Sequence, residues 1–119
     1  MNKITKPMLM HFFLHLCSDM GKRAYVSDTD IKSMKKFFSD RDRDWKSPCA
    51  VVSDYASIRG SWSLDYAGCY GGWHIVEHLE HGGIDCPLGH NRHTTSKMYD
   101  LICFAREALR LKQQITVKS

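Results

Sequence analysis

The chain has 119 residues and a mass of 13.7 kDa, enough for one domain with its own core and too short for two. Its composition, 43% apolar and 25% charged, excludes a disordered tail, a collagen repeat and a coiled-coil rod, and no apolar run reaches the about 18 residues that a membrane span requires. The net charge of +4 is unevenly placed: residues 1–46 carry +4, residues 47–96 carry −3 and residues 97–119 carry +3. An excess of that size suits an acidic partner without requiring one, and a pI near 8.8 is low for a dedicated nucleic-acid domain.

The first predicted element is a helix opened by Pro7, whose missing N–H costs nothing at the first helical position. Met8, Leu9, Met10, Phe12, Phe13, Leu14, Leu16, Cys17 and Met20 make a wide apolar arc, while His11, His15, Ser18, Asp19 and Lys22 form a narrow polar stripe. A helix this apolar belongs in the centre of the fold, and Gly21 is placed to stop it. The segment follows Lys3 and Lys6 as a signal peptide's apolar region would, yet no small-residue cleavage site succeeds it, so it is read as part of the fold. His11 and His15 have the spacing of metal ligands but fit the solvent-facing stripe equally well.

Ala24-Tyr25-Val26 is a short strand, and Ser27 or Asp28 caps a second helix. On it Ile31, Met34, Phe38 and Trp45 share one face, and Lys32, Lys35, Lys36 and Arg43 share the other. That basic stripe could grip phosphates, although the alternating run Asp40-Arg41-Asp42-Arg43-Asp44 partly cancels the attraction. After Pro48 the helical period disappears. Val51-Val52 favours a strand, and Trp62, Leu64 and Tyr66 alternate with Ser61, Ser63 and Asp65 at a period of two. With turns at Gly60, Gly68, Gly71 and Gly72, the middle of the chain reads as a small antiparallel sheet. Capped by Thr94, Thr95 or Ser96, a last helix carries Met98, Leu101, Ile102, Ala105, Ala108, Leu109 and the Lys112 stem on one broad face, and it frays from Gln113 onward. The fold class is therefore α+β over residues 1–119, with about three helices and a small antiparallel sheet. The alternative is an all-α domain with a long central loop.

Chemistry concentrates between Trp73 and His93, which contain His74, His78, His81, His90 and His93 together with Cys86. Imidazole nitrogen, thiolate sulfur and carboxylate oxygen are the zinc ligand set. As a helix, this segment would place His74, His78 and His81 within an arc of about 60°, with the loop carrying Cys86, His90 and His93 free to fold back over them. As a strand, it would put His74, His78 and Glu80 on one face and Trp73, Ile75, Glu77, Leu79 and His81 on the other. His74-Ile75-Val76-Glu77-His78 has the form H-x-x-E-H. This spacing resembles the inverted zinc-peptidase motif, in which two histidines bind zinc and the glutamate activates water. The match covers these five residues alone, and Glu107 is the one acidic residue placed to supply that motif's distant third ligand.

The five cysteines are odd in number, widely spaced and without a C-x-x-C pair, which suits reduced thiols in a cytoplasmic protein. Phosphate-loop, dinucleotide and serine-hydrolase motifs are absent from the sequence. The first functional reading is a small non-enzymatic interaction protein, an inhibitor or regulator that docks on a macromolecular partner, a protein sooner than a nucleic acid. Tyr55, Trp62, Tyr66, Tyr70 and Trp73 are its candidate contact residues, because tyrosine and tryptophan dominate interface hot spots. One alternative is a small zinc-dependent hydrolase or nuclease built on His74, Glu77 and His78. The other is a nucleic-acid-binding module built on Lys32, Lys35, Lys36 and Arg43.

Overall fold

The computed structural model describes residues 3–118, with side chains through Gln113. Three helices and a five-stranded mixed sheet give the α+β class. In chain order they are α1 (Lys6–Asp19), β1 (Arg23–Tyr25), α2 (Asp28–Ser39), β2 (Val51–Val52), β3 (Ser61–Ala67), β4 (Gly72–His78), β5 (Ile84–Asp85) and α3 (Thr95–Lys118). Single 3-10 turns at Tyr55–Ser57 and Gly68–Tyr70 precede and follow β3. Among the described residues no helix is long and apolar enough to cross a membrane.

α1 is the central helix. Thr5 caps it, its hydroxyl accepting from the Met8 N–H, and Leu9, Met10, Phe13, Leu14, Leu16 and Cys17 are buried along most of its circumference. Gly21, at φ 67°, takes the left-handed conformation that ends it. α1 and α3 pack on the inner face of the sheet and α2 packs against α1. The core formed there joins Ala24, Trp62, Leu64, Trp73 and Ile75 from the strands to Met34, Met98 and Ile102 from α2 and α3.

The strand order is β2-β1-β3-β4-β5. β3 and β4 are antiparallel, with Leu64 opposite Ile75 and Asp65 opposite His74, and β5 returns antiparallel beside β4. β1, however, runs parallel to both β2 and β3, so the sheet is mixed where an antiparallel one was expected. The cause is the connection: α2 carries the chain from the end of β1 back to the start of β2, and such a crossover joins parallel strands.

α2 is shorter than its apolar spacing predicts. It ends at Ser39, and Asp42 adopts φ 57° two residues after the C-cap Asp40. Aspartate tolerates the left-handed region better than most residues, so this segment turns instead of continuing the helix. Arg43 therefore lies off the helix that carries Lys32, Lys35 and Lys36, all four being exposed, and the basic stripe is three lysines long. Trp45 returns through irregular chain to meet α1. α3, capped by the Thr94 hydroxyl, continues to Lys118 rather than fraying from Gln113.

Candidate functional site

The segment that would gather three imidazoles as a helix is the strand β4. Strand geometry puts His74 and His78 on the outer face, about 13 Å apart, and turns Glu77 to the opposite face, where it meets Lys22 Nζ at 3.4 Å. The H-x-x-E-H residues therefore do not converge as they would on a helix. The loop after β4 does fold back, through β5 and Gly82, but His81 and His90 are exposed, and His93 is held by its backbone against Trp73. Among the described residues, no three His, Cys, Asp or Glu side chains form a group that could hold a metal ion.

These outer-face histidines engage local partners. His78 Nε2 lies 2.9 Å from Ser63 Oγ, and burial holds this imidazole below its ordinary range against the opposing pull of Asp65. Asp65 Oδ2 joins His74 Nε2 at 3.3 Å to Arg92 Nη2 at 2.8 Å, while Arg92 Nη1 donates to the Gly72 carbonyl at 3.0 Å. Asp65 and Arg92 thereby clip the loop before α3 to the β3–β4 hairpin.

The five aromatic candidates part company. Trp62 and Trp73 are only 3% and 6% exposed and belong to the core, because alternation along β3 and β4 turns them to the inner face. Tyr55, Tyr66 and Tyr70 are exposed, Tyr70 to 76%. Tyr66 and Tyr70 stand at the tip of the β3–β4 hairpin, while Tyr55 stands beyond the opposite end of β3, about 20 Å along the strand. The structure places three of the five on the surface, in two separate places.

A second histidine site lies on α1, against Phe38 of α2 and Trp45 beyond it. Trp45 Nε1–H can only donate, so His11 Nδ1 accepts from it at 3.1 Å. His11 then carries its proton on Nε2 and donates to His15 Nε2 at 3.2 Å. Burial above all, with Arg106 adding repulsion, holds both imidazoles below 6.5; the two rings also repel at His11, and Asp19 opposes the shift at His15. The unfolded chain therefore takes up protons first as pH falls below about 6.5, so stability is complete above that pH and declines as pH drops toward the lower folded values. We expect the melting temperature to fall as pH drops below about 6.5, and to fall less in the double variant His11→Gln, His15→Gln. Equal slopes for parent and variant would show that the pair does not set this dependence.

Nearby, the wholly buried Cys17 thiol is pushed up and stays protonated, while its hydrogen bond to Cys49 lowers the latter to about 7. All five cysteines are free.

A mostly apolar concavity carries no signal of its own in the sequence. A groove of about 400 Å3 runs between α3 and the rest of the fold. One wall is Leu101, Phe104 and Ala108 of α3; the facing wall is Leu16 and Met20 from the end of α1 with Leu88 from the loop before α3. Trp62 also lines it, and its buried indole Nε1–H finds no acceptor among the described residues. Phe104 is 73% exposed and Leu111, one turn beyond Ala108, is 51% exposed. These side chains sit on a helix whose other side is fixed by fully buried Met98 and Ile102. No family model, no curated protein and no solved structure matches the chain.

Proposed function

We propose that this chain is a small non-enzymatic interaction protein, an inhibitor or regulator in the cytoplasm, and that it docks a protein partner along the α3 groove. One observation carries this reading: Phe104 stands 73% exposed at the rim of a groove whose walls, from three separate parts of the chain, are apolar. Burying one such side chain is worth about 1.5–3 kcal/mol, so an apolar surface held on a rigid helix is a binding surface awaiting an apolar counterpart. A groove beside a helix is the shape that receives another helix through residues one turn apart. The five free thiols fit a reducing compartment.

The test replaces residue 104 by a photo-crosslinking amino acid in the cell that makes the protein, with Thr29, exposed on α2, as the control position. A discrete adduct from position 104 and none from position 29 is the expected result. Failure to trap any protein at 104 would remove the groove as a docking surface.

A further inference from the structure

We propose that Cys49 is a peroxide-reactive thiol with Cys17 as its resolving partner, so that oxidation closes a reversible Cys17–Cys49 disulfide within the chain. The inference is independent of the docking reading.

The pair is assembled from distant parts of the sequence. Cys17 stands in the last turn of α1, inside the core cluster and with no exposed surface. Cys49 stands two residues before β2, half-buried and packed against that cluster. A hydrogen bond joins the two thiols, and sulfurs in such contact have the proximity that a disulfide requires. The surrounding backbone holds both residues in place. The Cys17 carbonyl accepts the Lys22 N–H at 2.8 Å, and the Ala50 carbonyl, next to Cys49, accepts the Ala24 N–H at 2.9 Å. Ser47 Oγ accepts the Cys49 N–H at 3.3 Å, donates to the Cys49 carbonyl at 2.7 Å and lies 3.9 Å from the sulfur.

These surroundings give the two thiols different parts. The hydrogen bond from Cys17 lowers the Cys49 thiol to about 7; burial opposes the shift, and Ser47 and the Ala24 N–H add to it. The thiolate is the nucleophile, and Cys49 supplies it near neutral pH at a half-buried sulfur that a molecule as small as hydrogen peroxide can reach. Cys17, wholly buried and protonated, is shielded from peroxide and waits beside the sulfur that reacts. The other three thiols are placed elsewhere: Cys69 is exposed in the turn after β3, Cys86 lies in the loop after β5, and Cys103 on α3 is hydrogen-bonded to Tyr99.

The chemistry runs in two steps. The Cys49 thiolate attacks one oxygen of hydrogen peroxide; the S–O bond forms, the O–O bond breaks, and the hydroxide released takes up the proton that Cys49 lost, leaving as water. Cys17 Sγ then displaces the hydroxyl of the Cys49 sulfenic acid, and its own thiol proton leaves with that hydroxyl as a second water. Two thiols are oxidised to one disulfide while one peroxide is reduced to two waters. In a reducing compartment thiol exchange reopens the bond, which is how cytosolic disulfides of the redox-sensing kind behave.

The test treats the reduced full chain with stoichiometric hydrogen peroxide, alkylates it and maps it by mass spectrometry. The mass is expected to fall by about 2 Da, the two hydrogens lost. Two of the five thiols are expected to resist alkylation, with the tryptic peptides of Cys17 and Cys49 joined, and dithiothreitol is expected to restore all five. Cys49→Ser is expected to abolish the link. Cys17→Ala is expected to strand Cys49 as a sulfenic acid that dimedone captures, whereas the parent gives no adduct there. The parent map decides by itself should the core variant fail to fold. A parent that keeps all five thiols, joins other cysteines, or oxidises Cys49 without joining it to Cys17 would overturn the inference.

Discussion

Phe13→Ala is expected to lower stability by about 3–5 kcal/mol, a large part of the 5–15 kcal/mol by which a domain of this kind holds together. Phe13 has no exposed surface and sits in the central helix among the residues that α2, α3 and the sheet all contribute to the core. Truncation there loses the transfer energy of the ring and leaves a cavity whose walls belong to different elements, so no single movement can close it. The melting temperature is expected to drop by roughly 10–25 °C. Tyr70→Ala, at a residue 76% exposed, is the control and is expected to shift stability by no more than about 0.5 kcal/mol. If the two variants melted together, α1 would not be the central helix of the fold.

Gly72→Ala has the second largest expected effect, for a backbone reason. Gly72 has φ 120°, a conformation that side chains rarely adopt, and a Cβ added there would sit on the carbonyl oxygen of His93. That oxygen accepts the Trp73 N–H at 2.8 Å, and Trp73 returns the favour by accepting from the His93 N–H at the same distance. The methyl group therefore both strains its own residue and separates β4 from the chain entering α3. The expected cost is about 3 kcal/mol by urea unfolding. Gly89 shares the strain, with φ 102°, but has open space around its missing Cβ, and Gly89→Ala is expected to cost about 1 kcal/mol. Equal losses in the two variants would refute the steric account.

Some of this architecture is written in local patterns. The apolar arc from Met8 to Met20 is too wide for any but a central helix, and Gly21 stops it as expected. The alternation from Ser61 to Tyr66 identified β3 as a strand. What stayed hidden depends on distant neighbours. β1 and β2 have three and two residues, too few to carry a period or a direction, so their parallel pairing follows from where α2 delivers the chain. Trp73 to His78 fits a helix and a strand about equally, and only the partner β3 decides between them. The groove was illegible for a similar reason. The broad face read on α3 leaves out Phe104 and Leu111, and nothing in the spacing says which apolar residues of the helix the core covers. Once Met98 and Ile102 are buried, Phe104 and Leu111 are left outside.

The mixed sheet also bears on how the chain reaches this state. Ala67 has only to find Gly72 across a single turn, so β3 and β4 can zip together early and locally. Ala24 must meet both Val51 and Trp62, with the whole of α2 and the irregular stretch behind it looped out in between. The entropy of closing that loop is spent before the parallel contacts return anything, so β1 is expected to dock late, as a slow refolding phase sensitive to substitutions at Ala24. Until then Ser61 and Trp62 lack their strand neighbour at the start of β3. The expected order of events thus runs against the order of synthesis: a segment made early would be among the last to settle.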